Sequence, residues 1–124
     1  MDNSLTRGKK GEEQAVAALE AAGMAIIVRN YRAIIGSGKQ LGEIDIIALD
    51  GDSIVFVEVK AWSAFGAEDL RFSINIKKQL KIIKTAKFFL SENREYSNMV
   101  IRFDVVFIKG CHIDHLVSAF TEGV

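Results

Sequence analysis

The feature that most constrains this chain is the segment Leu41–Lys60, LGEIDIIALDGDSIVFVEVK, which has the pattern of two hydrophobic strands joined by a turn. The predicted strands cover about Gly42–Leu49 and about Ile54–Lys60, with Asp50-Gly51-Asp52-Ser53 between them. Because side chains alternate along a strand, the charged residues of both strands fall on one face. These residues are Glu43, Asp45, Glu58 and Lys60. The opposite face is apolar, as in a sheet covered on both sides, and is formed by Ile44, Ile46, Val55, Val57 and Val59.

The register of this hairpin decides whether two of the carboxylates meet. In the simplest register Leu49 faces Ile54. The sum of paired residue numbers is constant in an antiparallel pair, so Asp45 then lies opposite Glu58. A shifted pairing of the same parity would set Glu43 against Glu58 and leave the acidic cluster intact. A loop with an odd number of residues would put Asp45 and Glu58 on opposite faces and exclude a shared site.

The clustered carboxylates predict a metal site. Facing residues have Cβ atoms about 4.5–5.5 Å apart, and like charges placed there destabilise a sheet. A divalent cation would remove this repulsion, and Mg²⁺ or Mn²⁺ beside Lys60 suits the hydrolysis of a phosphodiester. The alternative is solvation of the strand ends with a Glu43–Lys60 ion pair. The placement of Asp45, Glu58 and Lys60 on one face of a buried hairpin favours the metal site over that alternative.

The composition predicts one domain across residues 1–124, with an ordered core from about residue 8 to residue 117. A single cysteine, Cys111, excludes an internal disulfide and suits a reducing compartment. The N-terminal residues lack the apolar core of a signal peptide, and no apolar run reaches the ~20 residues that cross a membrane. We therefore expect a cytoplasmic protein with no membrane contact.

The remaining sequence predicts an α/β domain in which helices flank a mixed sheet, in the order α-β-β-β-α-β. Helices are predicted over Gly11–Ala22 and Ser73–Leu90, and further strands over Met24–Tyr31, Arg102–Ile108 and, more briefly, His112–Val117. Glu12 and Glu13 fall in the first turn of the first helix, where the helix dipole favours negative charge. The predicted connections are loops at 33–40 and 62–72.

The second helix is predicted to have one buried and one basic face. The buried face consists of Ile76, Leu80, Ile83, Ala86 and Leu90. The basic face consists of Lys77, Lys81 and Lys84, with Lys78 beside them. Zero net charge disfavours a protein that coats nucleic acid with its whole surface, so contact with nucleic acid would fall to this local face. An ordinary solvated helix face is the alternative.

Three further groups of residues are predicted to be structural. Cys111, His112 and His115 form Cys-His-x-x-His, but three ligands within five residues and no second cluster fit a zinc site badly. Arg102 and Asp104, on one side of a strand, are predicted to form an ion pair within the sheet. The turn explains Asp50 and Asp52.

Asp45 followed after twelve residues by Glu58-Val59-Lys60 resembles the signature of the PD-(D/E)xK nucleases, with Ile44 in place of the usual proline. More closely, the chain resembles the YraN family of predicted endonucleases, which is related in fold to Holliday-junction resolvases and restriction enzymes. The matching segments lie in one order: Gly11-Glu12-x-x-Ala15, Arg29-Asn30-Tyr31-Arg32, Gly42-Glu43-Ile44-Asp45, Val55-Phe56-Val57-Glu58-Val59-Lys60, Lys78-Gln79, Ala86 with Phe89-Leu90, and Arg102-Phe103-Asp104-Val105.

The resemblance implies a restriction-endonuclease-like three-layer fold and a Mg²⁺-dependent endonuclease acting on DNA rather than RNA, including branched or damaged DNA. It also implies metal binding by Asp45 and Glu58, catalysis by Lys60 with help from Glu12, and a homodimer of the kind that resolvases use on two strands. The family usually has Thr-Arg where this chain has Ala61-Trp62, so an arginine suited to contact phosphate is missing. An inactive nucleic-acid-binding module of the same fold and a partner-binding scaffold are the alternatives.

Overall fold

The computed structural model describes residues 4–61 and 74–122, so the predicted connection at 62–72 lies outside the described residues. The elements in chain order are α1 (Ser4–Ala21), β1 (Ala25–Ile34), β2 (Gln40–Asp50), β3 (Ser53–Ala61), α2 (Ile76–Glu92), a 3₁₀ turn (Arg94–Tyr96), β4 (Val100–Lys109) and β5 (His112–Phe120). Neither α1 nor α2 is both long and apolar enough to cross a membrane.

The five strands form one mixed sheet in the order β1-β2-β3-β4-β5. Among the strands that the structure describes, β3 and β4 are the only parallel neighbours, because the connection that contains α2 crosses over the sheet between them. The other neighbouring pairs are antiparallel. The predicted α/β class is therefore confirmed, and the short strand predicted over His112–Val117 is present as β5, which continues to Phe120.

Both faces of the sheet are buried, because α1 packs on one face and α2 on the other. On the α1 side, Ala15 and Leu19 meet residues of the central strands such as Val57. On the α2 side, Ala86 and Phe89 pack on the aromatic residues of the sheet. This gives the three layers that are predicted for a restriction-endonuclease-like fold.

The boundaries of both helices differ from those predicted. α1 begins at Ser4 and not at Gly11, and it ends where predicted, because Gly23 adopts a positive φ of 93° and donates to Glu20. α2 begins at Ile76 and not at Ser73. The side chain of Asn75 caps α2 by accepting the N–H of Lys78 at 2.9 Å.

The buried face of α2 differs from the predicted face and lies closer to Lys78. Ile76 and Leu80 are 63% and 59% exposed, so their assignment to the core was wrong. The buried residues are Ile82, Ile83, Thr85, Ala86 and Phe89, so the prediction is confirmed at Ile83 and Ala86. α2 carries two overlapping apolar stripes, and packing on the sheet selects the one that contains Phe89. The rotation turns Lys78 toward the sheet.

Candidate active site

The β2–β3 hairpin has the simplest of the predicted registers. Leu49 pairs with Ile54 across a two-residue turn, in which Gly51 takes a φ of 57°. The regular pairing runs as far as Ile46 and Val57 and stops before the predicted Asp45–Glu58 pair. The two strands separate at the point where the carboxylates lie.

Asp45 takes over the hydrogen bonding where the ladder ends. Its Oδ2 atom accepts the backbone N–H of Val59 at 2.8 Å. The side chain of Asp45 thus replaces a strand-to-strand bond and lies against β3 next to Glu58. The predicted direct pairing of Asp45 with Glu58 was therefore wrong, because the Asp45 carboxylate bonds to the backbone of β3 instead.

The alternation of faces along β2 also changes beside Asp45. The pattern predicts Ile44 on the face of Ile46, but Ile44 packs on the α2 side and Ile46 on the α1 side. Ile47, three positions after Ile44, also packs on the α2 side, so strict alternation fails between them. β2 leaves β3 here while it stays paired with β1 through Tyr31 and Ile44.

A pocket of about 180 Å³ lies between this end of the sheet and the first turns of α2. Asp45 and Glu58 both line it, so the structure brings together the two predicted metal ligands. The remaining lining residues are Gln40, Gly42, Glu43, Lys78, Lys81 and Ile82. Glu43 forms an ion pair with Arg32 of the adjacent strand, whose Nε atom lies 3.8 Å from Glu43 Oε2. The Glu43–Lys60 ion pair of the alternative interpretation is therefore replaced by a Glu43–Arg32 pair.

The pKa of Asp45 reflects its burial and the proximity of Glu58. Burial raises this pKa first, and a hydrogen bond and charge repulsion from Glu58 raise it further, to about 8. The Val59 N–H and the positive charge of Lys78 act in the opposite direction and do not offset this. Asp45 is therefore protonated at neutral pH when no cation is bound.

Two lysines complete the charge distribution of the site. Burial lowers the pKa of Lys60, and the adjacent Lys78 amine lowers it further. Burial also acts downward on the pKa of Lys78, but the charge of Glu58 and a hydrogen bond with Lys60 outweigh it and raise the pKa. The Lys78 Nζ atom lies 3.3 Å from Glu58 Oε2. Lys60, the predicted catalytic lysine, thus interacts with Glu58, Asp45 and Lys78.

Gly42 sets the distance between β2 and α2 at the pocket. A Cβ atom on Gly42 would lie 2.2 Å from Thr85 Oγ1, which is closer than real Cβ contacts. Thr85 is fully buried, and its hydroxyl donates to the carbonyl of Lys81. Sequence reasoning left Thr85 out of the site, although a glycine inside a strand is a recognised sign of close backbone approach.

Glu12 lies outside the pocket that Asp45 and Glu58 line. Its carboxylate accepts hydrogen bonds from Arg29 Nε at 3.1 Å and from Asn30 Nδ2 at 3.0 Å. Because α1 begins at Ser4, neither Glu12 nor Glu13 is in the first turn, and the predicted dipole explanation for them was wrong. Arg29 pairs with Ile46 across the sheet, so Glu12 is connected to the residue next to Asp45.

The predicted basic face divides into two parts. Lys78 is in the pocket with Glu58, and Lys81 lines the pocket while its side chain is exposed. Lys77 and Lys84 are exposed one turn on either side of Lys81 and make no ion pair with any residue that the structure describes. A basic strip therefore begins at the carboxylates and continues along α2.

The donor set suits a Mg²⁺ ion that keeps part of its hydration shell. Within residues 4–61 and 74–122, no three His, Cys, Asp or Glu side chains are grouped so as to hold a metal. Two carboxylates facing one pocket are nevertheless the usual protein contribution to a Mg²⁺ site, in which waters and substrate phosphate supply the other ligands. Burial and the neighbouring Glu58 raise the pKa of Asp45, so a divalent cation bound by both carboxylates would offset an unfavourable negative charge at this position.

A second charged cluster lies in the sheet away from the pocket. The predicted Arg102–Asp104 pair is confirmed, with nitrogen–oxygen distances of 3.0 and 2.9 Å, and Arg102 also bonds to Asp50. Asp104 is fully buried and is further bonded by His115 and by the N–H of Ser118. Three of these groups compensate the buried Asp104 carboxylate, so the cluster has a structural role.

A family profile and individual relatives both match this chain, and they name the same family. The profile described as "Uncharacterised protein family UPF0102" matches residues 11–108. A "UPF0102 protein" from Persephonella marina is 41% identical over 117 residues, which cover 94% of this chain and 95% of the relative. A "UPF0102 protein" from Treponema denticola is 41% identical over 129 aligned residues, with 93% and 95% covered. One from Treponema pallidum is 40% identical over 122, with 93% and 92% covered.

Proposed function

We propose that this chain, which belongs to the uncharacterised protein family UPF0102, is a Mg²⁺-dependent endonuclease that hydrolyses phosphodiester bonds of DNA. The observation that carries the proposal is the meeting of Asp45 and Glu58 in one pocket, with Lys60 beside them and exposed lysines at its rim. The resemblance of the sequence Asp45…Glu58-Val59-Lys60 to the signature of the PD-(D/E)xK nucleases supports the same activity.

Each residue of the pocket has a role in this proposal. Asp45 and Glu58 hold Mg²⁺, or Mn²⁺ in its place, and the bound ion would neutralise phosphate charge and make a coordinated water more acidic. Lys60 follows Glu58 by two positions on β3 and orients the attacking water or stabilises the charge on the phosphate. The side chain of Asp45 is positioned by the Val59 N–H before any ion binds.

The substrate reaches this pocket along α2. Lys77, Lys81 and Lys84 provide exposed positive charge next to the carboxylates, where a DNA strand would carry its phosphates. Branched or damaged DNA acted on by a homodimer is the substrate class that the resemblance to resolvases suggests. The single cysteine, exposed at Cys111, fits a reducing cytoplasm.

Cleavage of a panel of single-stranded, duplex and four-way DNA, with RNA alongside, tests the proposal in Mg²⁺ and in Mn²⁺. We expect the wild type to cleave DNA and Asp45→Asn and Glu58→Gln to lose at least 100-fold in rate. Asp114→Asn removes one carboxylate from the exposed face of β5 and is the matched control, with unchanged rate. Absence of metal-dependent cleavage of every substrate would contradict the proposal.

Binding without cleavage is the second candidate, and the specific observation that favours it is Ala61-Trp62 in place of the family's Thr-Arg. An inactive module would bind DNA through the lysines of α2, with an affinity that Asp45→Asn leaves unchanged. Failure to bind nucleic acid even at low salt would instead favour a partner-binding scaffold.

A further inference from the structure

Lys78 differs from the other lysines of α2 in its partner. Its ammonium group lies 3.3 Å from Glu58 Oε2, and the Glu58 side chain is only 14% exposed. Lys77, Lys81 and Lys84 are all exposed and form no ion pair with the rest of the described chain. The positive charge of Lys78 thus occupies the space in front of a carboxylate that the proposed function assigns to the metal.

The main chain holds Lys78 at this place. Asn75 caps α2 by accepting the Lys78 N–H, and the Gln79 side chain donates to the carbonyl of Ile74 at 3.0 Å. The close approach of Gly42 to Thr85 fixes the distance between α2 and the sheet. These contacts place the backbone of Lys78 beside the pocket, whereas its four-carbon side chain can change rotamer.

The Lys78 ammonium group competes with a divalent metal ion for the Glu58 carboxylate. Two like charges attracted to the same carboxylate oxygen exclude each other, and the interaction is strong because Glu58 is largely screened from water. Lys78 is 39% exposed, so solvent provides a place for the ammonium group once it leaves Glu58. Lys78 thus resembles a counter-ion that is covalently attached to the site.

We propose that Lys78 is an internal counter-ion of the metal site, which holds Glu58 when no metal is bound and must be displaced when a divalent cation binds. The inference rests on the proposed function, because it takes Asp45 and Glu58 as the metal ligands. Lys78 is a positioning residue in this account. It keeps the Glu58 carboxylate in place, and it lowers the affinity of the site for free metal.

Titration of Mn²⁺, followed by calorimetry and by electron paramagnetic resonance, tests this role without any substrate. We expect Lys78→Gln to bind Mn²⁺ about tenfold more tightly than the wild type, because the competing charge is gone. Lys78→Arg retains the charge and should bind as the wild type does. Lys77→Gln makes the same change one residue away on the exposed surface and should leave the affinity unchanged.

Thermal unfolding gives a second measurement on the same proteins. Lys78→Gln leaves Glu58 without its cation, so its Tm without metal should fall below that of wild type, and Mn²⁺ should raise it by more. Equal or weaker Mn²⁺ binding by Lys78→Gln, with the wild type binding normally, would overturn the counter-ion role. Absence of binding by both proteins, with and without a DNA oligonucleotide, would instead overturn the metal site of the proposed function.

Discussion

Asp45 Oδ2 accepts the backbone N–H of Val59 at 2.8 Å, at the point where β2 stops pairing with β3. The bond keeps a buried N–H satisfied after the ladder ends, which a sheet interior requires. It also fixes the Asp45 carboxylate next to Glu58 before any ligand arrives. One hydrogen bond therefore satisfies the Val59 N–H and positions the Asp45 carboxylate.

Asp45→Asn should stabilise the metal-free protein at neutral and alkaline pH. The folded pKa of Asp45 is about 8, above its ordinary value of 3.8, so the folded chain binds a proton that the unfolded chain releases. Wild-type stability therefore falls as pH rises from about 4 to about 8, and an amide removes this loss. Tm values at pH 5 and pH 8 should show a gain for Asp45→Asn that is larger at pH 8.

Asp45→Ala is the control for this prediction. It removes the charge as Asp45→Asn does, but it also removes the acceptor of the Val59 N–H, which leaves a donor unsatisfied. It should lower the free energy of unfolding by about 1–3 kcal/mol relative to Asp45→Asn. A Tm of Asp45→Asn below that of wild type at pH 8 would contradict the assigned protonation of Asp45.

Gly42→Ala should destabilise the protein and disturb the pocket together. Its Cβ would overlap Thr85 Oγ1 at 2.2 Å, and overpacking of this kind costs about 1–3 kcal/mol. Thr85→Ala in the same chain removes that oxygen, and the next contacts, at 3.5 and 3.6 Å, are ordinary. The double variant should therefore be more stable than Gly42→Ala alone in urea unfolding.

Gly36→Ala is the matched control for the change at Gly42, because nothing lies within 4 Å of its added Cβ. It should leave the free energy of unfolding within about 0.5 kcal/mol of wild type. If Gly42→Ala were equally harmless, the close contact between β2 and α2 would not exist in solution.

The sequence predicts the fold better than it predicts the contacts of the site. Strand alternation and the turn residues predict the register in which Leu49 faces Ile54, and the structure selects it over the shifted pairing that the pattern also allows. The rotation of α2 was not predictable from periodicity, since Leu80 and Phe89 belong to competing apolar stripes. Only packing against the sheet chooses between them, and that choice gives Lys78 its partner.

Asp104→Asn should change how the protein responds to acid. Burial alone would raise the pKa of Asp104, but hydrogen bonds from His115, Arg102 and Ser118 outweigh it and hold the pKa below its ordinary 3.8. The stabilisation is therefore complete above pH 3.8 and is lost as pH falls through the lower folded pKa. Urea unfolding between pH 7 and pH 2 should show this acid loss in the wild type and a smaller one in Asp104→Asn.

Complete removal of the side chain in Asp104→Ala leaves Arg102 with Asp50 as its remaining partner and removes the acceptor of the Ser118 N–H, and it should cost about 3–5 kcal/mol at pH 7. Lys87→Ala breaks the exposed pair with Glu122 and should cost at most about 1 kcal/mol. A loss in Asp104→Ala no larger than that in Lys87→Ala would show that the buried pair contributes nothing beyond a surface pair.

Glu12→Gln should weaken the site although Glu12 is outside the pocket. The Glu12 carboxylate holds Arg29, which pairs with Ile46 next to Asp45, so a weaker bond would loosen β2 at the metal ligand. Outer residues of this kind typically contribute about 10–100-fold in metal affinity or activity. Mn²⁺ titration should show this loss in Glu12→Gln and none in Glu20→Gln, because Glu20 is exposed on the same helix and its side chain does not hold Arg29. A lower Tm with unchanged Mn²⁺ affinity would mean that Glu12 stabilises the fold but does not support the metal site.

Removal of the exposed lysines should separate DNA binding from metal binding. Each lysine that neutralises a phosphate contributes about 0.9 to the slope of log affinity against log salt, so Lys77→Ala with Lys84→Ala should reduce that slope by about 1.8. Fluorescence anisotropy with a duplex in EDTA measures the slope without cleavage. Lys87→Ala, on the same helix but paired with Glu122, should leave the slope unchanged.

Mn²⁺ affinity should stay at the wild-type value in the double variant, because Lys77 and Lys84 do not line the pocket of Asp45 and Glu58. An unchanged salt slope would mean that DNA reaches the carboxylates by another surface.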